Sequence, residues 1–321
     1  MKIKRTFRIK MILIFLIYNL FFAALLAPFI LFWGPFQSLK IVAVGSVYTS
    51  RHPQVVQAFL SQAEIDRIMN LSNSQGQGGS KDIARSNVIA DTSSGITIED
   101  IKGPSFKGKV MLVKDPKRVK LAVTKEIGVT GERVTDLVKD MGAYAGINAG
   151  GFYDPNGKGN GAFPDGLTVH EGKLVHNNVK DQAVNIVGFD DQGKLIIGNM
   201  TASQLAEKHI REAVTFTPNL IVNSKLMISG DGGWGIAPRT GIGQMADGTV
   251  IFVVIDGRQP TWSIGATLRD LMNVFDNYHA VNAVNLDGGS SSELVYNGKV
   301  ANKLWDIFGE RYIPTAFVVT P

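Results

Sequence analysis

The feature that most constrains this chain is an apolar run near its start, Met11–Trp33, interrupted only by Asn19 and Pro28. Its 23 residues suffice to cross a bilayer as a single helix. The run is longer than the apolar core of a signal peptide, and the best cleavage sequence after it is the weak Ala43-Val44-Gly45. Lys2, Lys4, Arg5, Arg8 and Lys10 precede it, and a basic flank of this kind stays cytoplasmic. The sequence therefore predicts a cytoplasmic tail over 1–10 and an uncleaved, single-pass signal-anchor in the cell membrane over 11–33. Everything after Gly34 would lie outside the cytoplasm. A cleaved signal is the alternative.

The same segmentation accounts for the charge. The formal net charge is +5, and the tail alone holds five bases with no acid. The rest of the chain carries 28 bases against 28 acids and is neutral. No basic stripe with interleaved aromatics occurs, which argues against nucleic acid as a partner. The absence of cysteine excludes disulfides, thiolate metal sites and a cysteine nucleophile.

Residues 34–87 read as a spacer. Ser50–Asn70 carries one or two short helices, the second starting at the capping-box spacing of Ser61 and Glu64. Ser72–Ser80, rich in Ser, Gly and Gln, reads as a flexible linker. The folded domain is expected over 88–321. There, short β-branched runs alternate with turn signals such as Asp247-Gly248 and Asn297-Gly298. Apolar residues at helical spacing mark helices near Val134–Met141 and Leu268–Phe275, and Thr201-x-x-Gln204 caps a third that reaches about Arg211. The prediction is an α+β fold with a largely antiparallel or mixed sheet, a few packed helices and no internal repeat.

Four segments carry candidate chemistry. Asn285-Leu-Asp-Gly-Gly-Ser-Ser-Ser-Glu293 follows the run Ala280–Leu286, so Asp287 falls at the end of a buried strand. Its paired glycines, Gly288 and Gly289, can bare N–H groups in a nest for an anion. The competing reading is a glycine-rich turn. In Ile147-Asn-Ala-Gly-Gly-Phe-Tyr153, Asn148 ends a strand, and Gly150 and Gly151 let backbone approach a ligand. In Ala237-Pro-Arg-Thr-Gly-Ile-Gly243, Arg239 is either a phosphate clamp or a surface ion-pair partner. In Ile264-Gly-Ala-Thr-Leu268, Thr267 is a helix N-cap, a position that is also compatible with an anion.

Taken together and in this order, the segments resemble the phosphodiester glycosidase family. Its pattern runs Asn-x-Gly-Phe-Phe, Pro-Arg-Thr-x-x-Gly, Gly-Ala-Thr-Leu and Asn-Leu-Asp-Gly-Gly-x-Ser. The resemblance covers about Val110 to Pro321. It departs from the pattern in the added small residue before Phe152, in Tyr153, and in Ser290. The tail, anchor and spacer are similar to those of bacterial members described as exopolysaccharide-biosynthesis proteins. The resemblance implies hydrolysis of a sugar-1-phosphodiester at the glycosyl C–O bond, giving free sugar and a phosphomonoester. On this reading Asp287 is the first candidate for the catalytic carboxylate, Asp256 the second, and Glu293 and Asp165 the weaker ones. Arg239, Thr267, Ser290, Ser291 and the Gly288 and Gly289 amides would hold the phosphate. Asn148 would bind sugar hydroxyls or fix the loop. The implied partner is a glycosyl-phosphate or envelope polysaccharide, with the membrane engaged through the N-terminal helix.

Several signals lead nowhere. Gly188–Lys194 has P-loop spacing, but Leu195 stands where Ser or Thr is required. No Gly-x-Ser-x-Gly elbow occurs. Asp154–Asn160 looks like a calcium loop, but Lys158 stands at a ligand position, so the segment reads as an active-site loop. No cofactor is required and no metal site is assigned; a structural cation is left open. The rival to the enzyme is a non-catalytic protein of the same fold that binds envelope polysaccharide during assembly.

Overall fold

The computed structural model describes residues 2–48, 53–74, 84–91, 95–155, 159–306 and 308–321. Most of the linker expected at Ser72–Ser80 therefore lies outside the described residues, as does the middle of the loop after Asp154.

The first helix, Lys2–Trp33, includes the whole apolar run, and its large side chains from Met11 to Ile30 are exposed, while Leu31 and Phe32 turn toward the following helices. A face that is apolar all round and uncovered is what a bilayer-facing helix requires. Asn19 does not leave its amide bare, because Nδ2 donates back to the Phe15 carbonyl at 2.8 Å. The helices Gln37–Tyr48, Pro53–Gln57 and Gln62–Ser74 follow, and the Glu64 N–H bonds the Ser61 hydroxyl as the capping box requires. Phe32, Val44, Val56, Leu60, Ile65 and Ile68 form a small core of their own. This spacer also touches the domain. The Ile236 N–H donates to Ser46 Oγ at 3.0 Å, and a Cβ on Gly45 would sit 3.0 Å from the Gly235 nitrogen. Ala43-Val44-Gly45 thus lies inside a docked helix.

The domain is built on three sheets, all antiparallel in their described pairings. The largest runs Ala84–Asp91, Ile96–Lys102, Lys107–Val113, Val250–Ile255, Arg239–Met245, Ala280–Leu286, Asn219–Val222, Lys225–Leu226. The second is ordered Lys173–Asn177, Leu167–His170, Ile210–Thr215, Val184–Asp190, Leu195–Met200. The third is ordered Lys299–Val300, Leu294–Tyr296, Ala145–Asn148, Thr315–Val319, Val119–Val123.

Strand Val250–Ile255 shows how the sequence sets these layers. All six residues are buried, and their alternation divides them between two cores. Val250, Phe252 and Val254 join the core shared with the other two sheets, where Leu121, Ile147, Phe189 and Phe317 meet. Ile251, Val253 and Ile255 join the opposite core, covered by helix Leu268–Asn277. That helix comes close to the sheet because Gly241 and Gly243 leave room for the Phe275 ring; a Cβ on either would lie within 3.0 Å of it. Helix Val134–Asp140 covers the third sheet.

The helix expected to run from Thr201 to about Arg211 is shorter. It is capped as predicted but spans only Ala202–Glu207. His209 takes a left-handed φ of 53°, and Ile210–Thr215 becomes a strand in the middle of the second sheet.

Candidate active site

Strand Ala280–Leu286 runs between Arg239–Met245 and Asn219–Val222, and Asp287 follows directly at its end. There the largest sheet meets the loop leaving Ala145–Asn148, since the Asp287 N–H donates to the Ala149 carbonyl at 3.1 Å. Gly289, with φ of +62°, then turns the chain into the short helix Gly289–Ser291.

Asn148 locks the junction. Fully buried, it donates from Nδ2 to the Asp287 carbonyl at 2.5 Å. Its Oδ1 accepts from Thr240 Oγ1 at 2.8 Å and from the Glu293 N–H at 3.1 Å. One amide thus ties together segments of both sheets and the Asp287 turn. Its side chain is fully engaged, so Asn148 fixes the loop and does not face a sugar. Gly150 and Gly151 are likewise packing positions. A Cβ on the first would meet Val214 at 3.0 Å, and on the second Phe216 at 3.1 Å.

The Asp287 carboxyl is the most perturbed acid of this turn. Burial pushes it up to about 6, and the Asp154 carboxylate adds to the rise. The Ser291 hydroxyl, the Gly288 N–H and the charge on Arg311 act the other way. Arg311 joins the cluster from the far end of the chain. Its Nη2 pairs with Asp154 Oδ2, its Nη1 lies 3.5 Å from the hydroxyls of Ser290 and Ser291, and its guanidinium sits 4.5 Å over the Phe152 ring. Two carboxyls thus flank one guanidinium, and the buried one, Asp287, is held well above the usual carboxylate range, as acid–base work requires.

A second guanidinium lies over the turn. Both terminal nitrogens of Arg258 are 3.5 Å from where a Cβ on Gly289 would stand. Arg258 holds a left-handed φ of 57°, an uncommon conformation for a side chain of this size and one that clusters at functional sites.

Arg239 is placed differently from expectation. It is 3% exposed, and its donors go to backbone carbonyls: Nε to Ala266 at 3.1 Å, Nη2 to Trp234 at 3.1 Å and to Gly235 at 2.7 Å. The head is not solvated. It braces the glycine-rich loop and helix entry beside the turn, and burial together with neighbouring Arg258 lowers it to about 10, still protonated at neutral pH. Its charge contributes to the positive field, while Arg258 is the guanidinium aligned with the turn.

Residues 141–320, more than half of the chain, match the family described as NAGPA, phosphodiester glycosidase. The chain belongs to the phosphodiester glycosidase family. Over 203 residues, 59% of its length, it is 30% identical to the SPbeta prophage-derived uncharacterized protein YomE of Bacillus subtilis, and it spans only 30% of that relative. Its fold is similar to that of the zebrafish N-acetylglucosamine-1-phosphodiester alpha-N-acetylglucosaminidase catalytic domain, described as auto-inhibited by pro-peptide. The TM-score is 0.59 at 22% identity, over 77% of this chain and 88% of that one. A hypothetical protein from Synechocystis also has a TM-score of 0.59, at 14% identity, over 73% of this chain and 63% of that chain. At such identities the likeness concerns the fold.

Several family-motif residues take roles other than those expected. The Gly288 and Gly289 amides do not form an open nest: the first bonds the Asp287 carboxylate and the second donates to the Pro238 carbonyl at 2.9 Å. Thr267 spends its hydroxyl in a capping box, donating to Asp270 Oδ2 at 2.7 Å and accepting from the Asp270 N–H. Asp256 faces another cleft and accepts from Trp262 Nε1 at 2.7 Å, the Lys303 N–H at 3.0 Å and Asn302 Nδ2 at 3.1 Å. Glu293 points toward Glu310, Arg133 and Asp136, and burial beside Glu310 pushes it up to about 10, so it is a neutral acid at physiological pH. It does not join the carboxyls around Asp287. Asp165 is exposed beside Gly151, and burial of part of its carboxyl raises it.

Ser290 and Ser291 stand where the sequence put them. Arg258 and Arg311 carry no sequence assignment, whereas Asp154 opens the segment that reads as an active-site loop. Arg258 had a signal, since it ends Ile-Asp-Gly-Arg beside a named candidate; Arg311, in Gly-Glu-Arg-Tyr, had none. Among the described residues no group of three His, Asp or Glu side chains is arranged to hold a metal.

Proposed function

We propose that this protein hydrolyses the glycosyl C–O bond of a sugar-1-phosphodiester in cell-envelope glycans, from a domain held on the outer face of the cell membrane by its N-terminal helix. The observation that carries the reading is the Asp287 carboxyl, raised to about 6 and placed between the Ser291 hydroxyl and Arg311. At neutral pH it is ionised but basic enough to take a proton from water. The C1–O bond breaks, its electron pair leaves with the phosphate oxygen, and the water oxygen bonds to C1. The leaving phosphate is a weak base and needs charge stabilisation more than protonation. Arg258 supplies that charge, reinforced by the field of buried Arg239. Arg311 is largely balanced by Asp154 and serves to orient both acids. The convergence of Asp287, Asp154, Arg258 and Arg311 favours an enzyme over a polysaccharide-binding protein of the same fold.

The test is incubation with sugar-1-phosphodiesters, including α-N-acetylglucosamine-1-phosphate esters, in isotopically labelled water. Label in the released sugar is the expected result. Label in the phosphate would mean P–O cleavage and overturn the reading, as would the absence of sugar release from any phosphodiester, oligomeric envelope phosphoglycans included.

A further inference from the structure

Away from the Asp287 turn lies a cleft of about 500 Å3 lined by Lys102, Lys107, Lys109, Lys303, Asp256 and Trp262, with Asp100, Asn302 and neighbouring backbone completing its wall. Buried Asp256 organises it. Its Oδ2 accepts from Trp262 Nε1, its Oδ1 accepts from the Lys303 N–H, and its own N–H donates to the Lys107 carbonyl at 2.9 Å. Ser263 closes the network, accepting from the Lys107 N–H at 3.0 Å and donating to the Asp256 carbonyl at 2.5 Å.

The result is a pair of cations set on one indole. Lys107 Nζ lies 3.7 Å from the centroid of the Trp262 ring and Lys303 Nζ 5.1 Å from it. Lys109 is neutralised by Asp100, but among the described residues Lys107 and Lys303 form no ion pair. Two like charges gathered at one ring repel, and an anion seated beside them relieves that repulsion. Asp256 is held by neutral donors and offsets part of the charge, but Lys102, Lys107, Lys109 and Lys303 stand against only Asp100 and Asp256 in the lining, so the cleft stays positive.

The cleft adjoins the catalytic turn. Gly257 follows Asp256 and packs against Pro238, whose carbonyl holds the Gly289 N–H, and Arg258 lies over Gly289. Asn302 spans the two sites, donating to Asp256 Oδ1 and to the Ser292 carbonyl at 3.2 Å. We propose that this cleft is an anion subsite that seats a second phosphate group of an oligomeric glycosyl-phosphate substrate, one repeat from the bond being cut. The proposal rests on the glycosidase reading of the Asp287 site, which makes the ligand a phosphate of a sugar chain.

The full chain in detergent is titrated with inorganic tripolyphosphate by calorimetry at several salt concentrations. Binding that weakens steeply with salt is expected. Lys107→Gln/Lys303→Gln is expected to weaken it at least about tenfold, while Lys107→Arg/Lys303→Arg, which keeps both charges, retains it. A folded Gln double variant that binds like the wild type would overturn the subsite, and so would a wild type that does not bind. Equal competition by polygalacturonate, a carboxylate polymer, would overturn the phosphate assignment. Sugar release is measured separately. Loss of tripolyphosphate binding in the Gln variant, with no sugar release from the wild type, keeps the anion cleft and sinks the glycosidase reading; the reverse pattern sinks the cleft alone.

Discussion

The Asn148 amide and the Asp287 carbonyl, 139 residues apart in sequence, meet at 2.5 Å where two sheets join. The same amide oxygen receives Thr240 and Glu293, so one buried side chain sets the position of the Asp287 turn.

Asn148→Ala strands the Thr240 hydroxyl, the Glu293 N–H and the Asp287 carbonyl without this partner. An unsatisfied buried polar group costs about 1–3 kcal/mol, so the loss is expected to reach several kcal/mol. At about 2–4 °C per kcal/mol for a domain of this size, thermal unfolding should shift down by roughly 10 °C. A shift under about 2 °C would refute the bracing role.

Asp287→Asn separates catalysis from stability. The folded carboxyl is raised to about 6 from an ordinary value of 3.8, so the folded state binds more protons than the unfolded one between these values. This contribution is therefore present below about pH 4 and is lost as pH rises through 6. At pH 7.5 the asparagine removes that penalty: melting should hold steady or rise while turnover falls by about a thousandfold or more. A clear drop in melting temperature would make Asp287 an ordering residue instead.

In the proposed mechanism the ionised carboxyl is the working form, so kcat/KM for sugar release should fall on the acid side with a midpoint near pH 6. Rate measurements from pH 4.5 to 8 decide this. A rate that climbs as the pH drops below 6 would assign Asp287 as a general acid.

Arg239→Ala and Arg258→Lys should behave differently. Burial of Arg239 means that truncation leaves the Trp234 and Gly235 carbonyls without this donor, while Ala266 keeps the Ala237 N–H, with an expected cost of about 2 kcal/mol or more in thermal unfolding. Arg258→Lys keeps a charge but loses the planar fork, and sugar release should fall about tenfold or more with melting little changed. Gly289→Ala differs: its methyl, in ordinary contact with the guanidinium at 3.5 Å, must adopt a φ of +62°, so stability should fall by about 1 kcal/mol. Equal melting losses in the Arg239 and Arg258 variants would refute the division of roles.

Much of the fold was legible because local signals and packing agreed. Val250–Ile255 and Ala280–Leu286 are β-branched runs beside strong turns, and the helix caps at Ser61, Thr201 and Thr267 all stand where their spacing put them. Ile210–Thr215 was not legible. The turn at His209 and pairing with Val184–Asp190 override a helical start that looked able to continue.

The site divides along the same line. Asp287, Ser290 and Ser291 were readable because a strand end followed by paired glycines is a local event. Arg239 and Thr267 were readable as motif residues, but their roles were not: whether a guanidinium meets solvent or three carbonyls depends on a loop folded over it. Asp154 was readable only as the first residue of an active-site loop and its partner Arg311 not at all, since their ion pair spans the chain and Arg311 sits in no local pattern.

The sequence by itself determined the length and apolar character of the first helix, the alternating strands, the helix caps and the family, because each rests on residues close together in the chain. Only the tertiary structure decided which carboxyl is raised, which arginine faces the Asp287 turn and which amide holds it. Those properties come from burial and from neighbours brought together across long sequence separations, and neither exists until the sheets have packed.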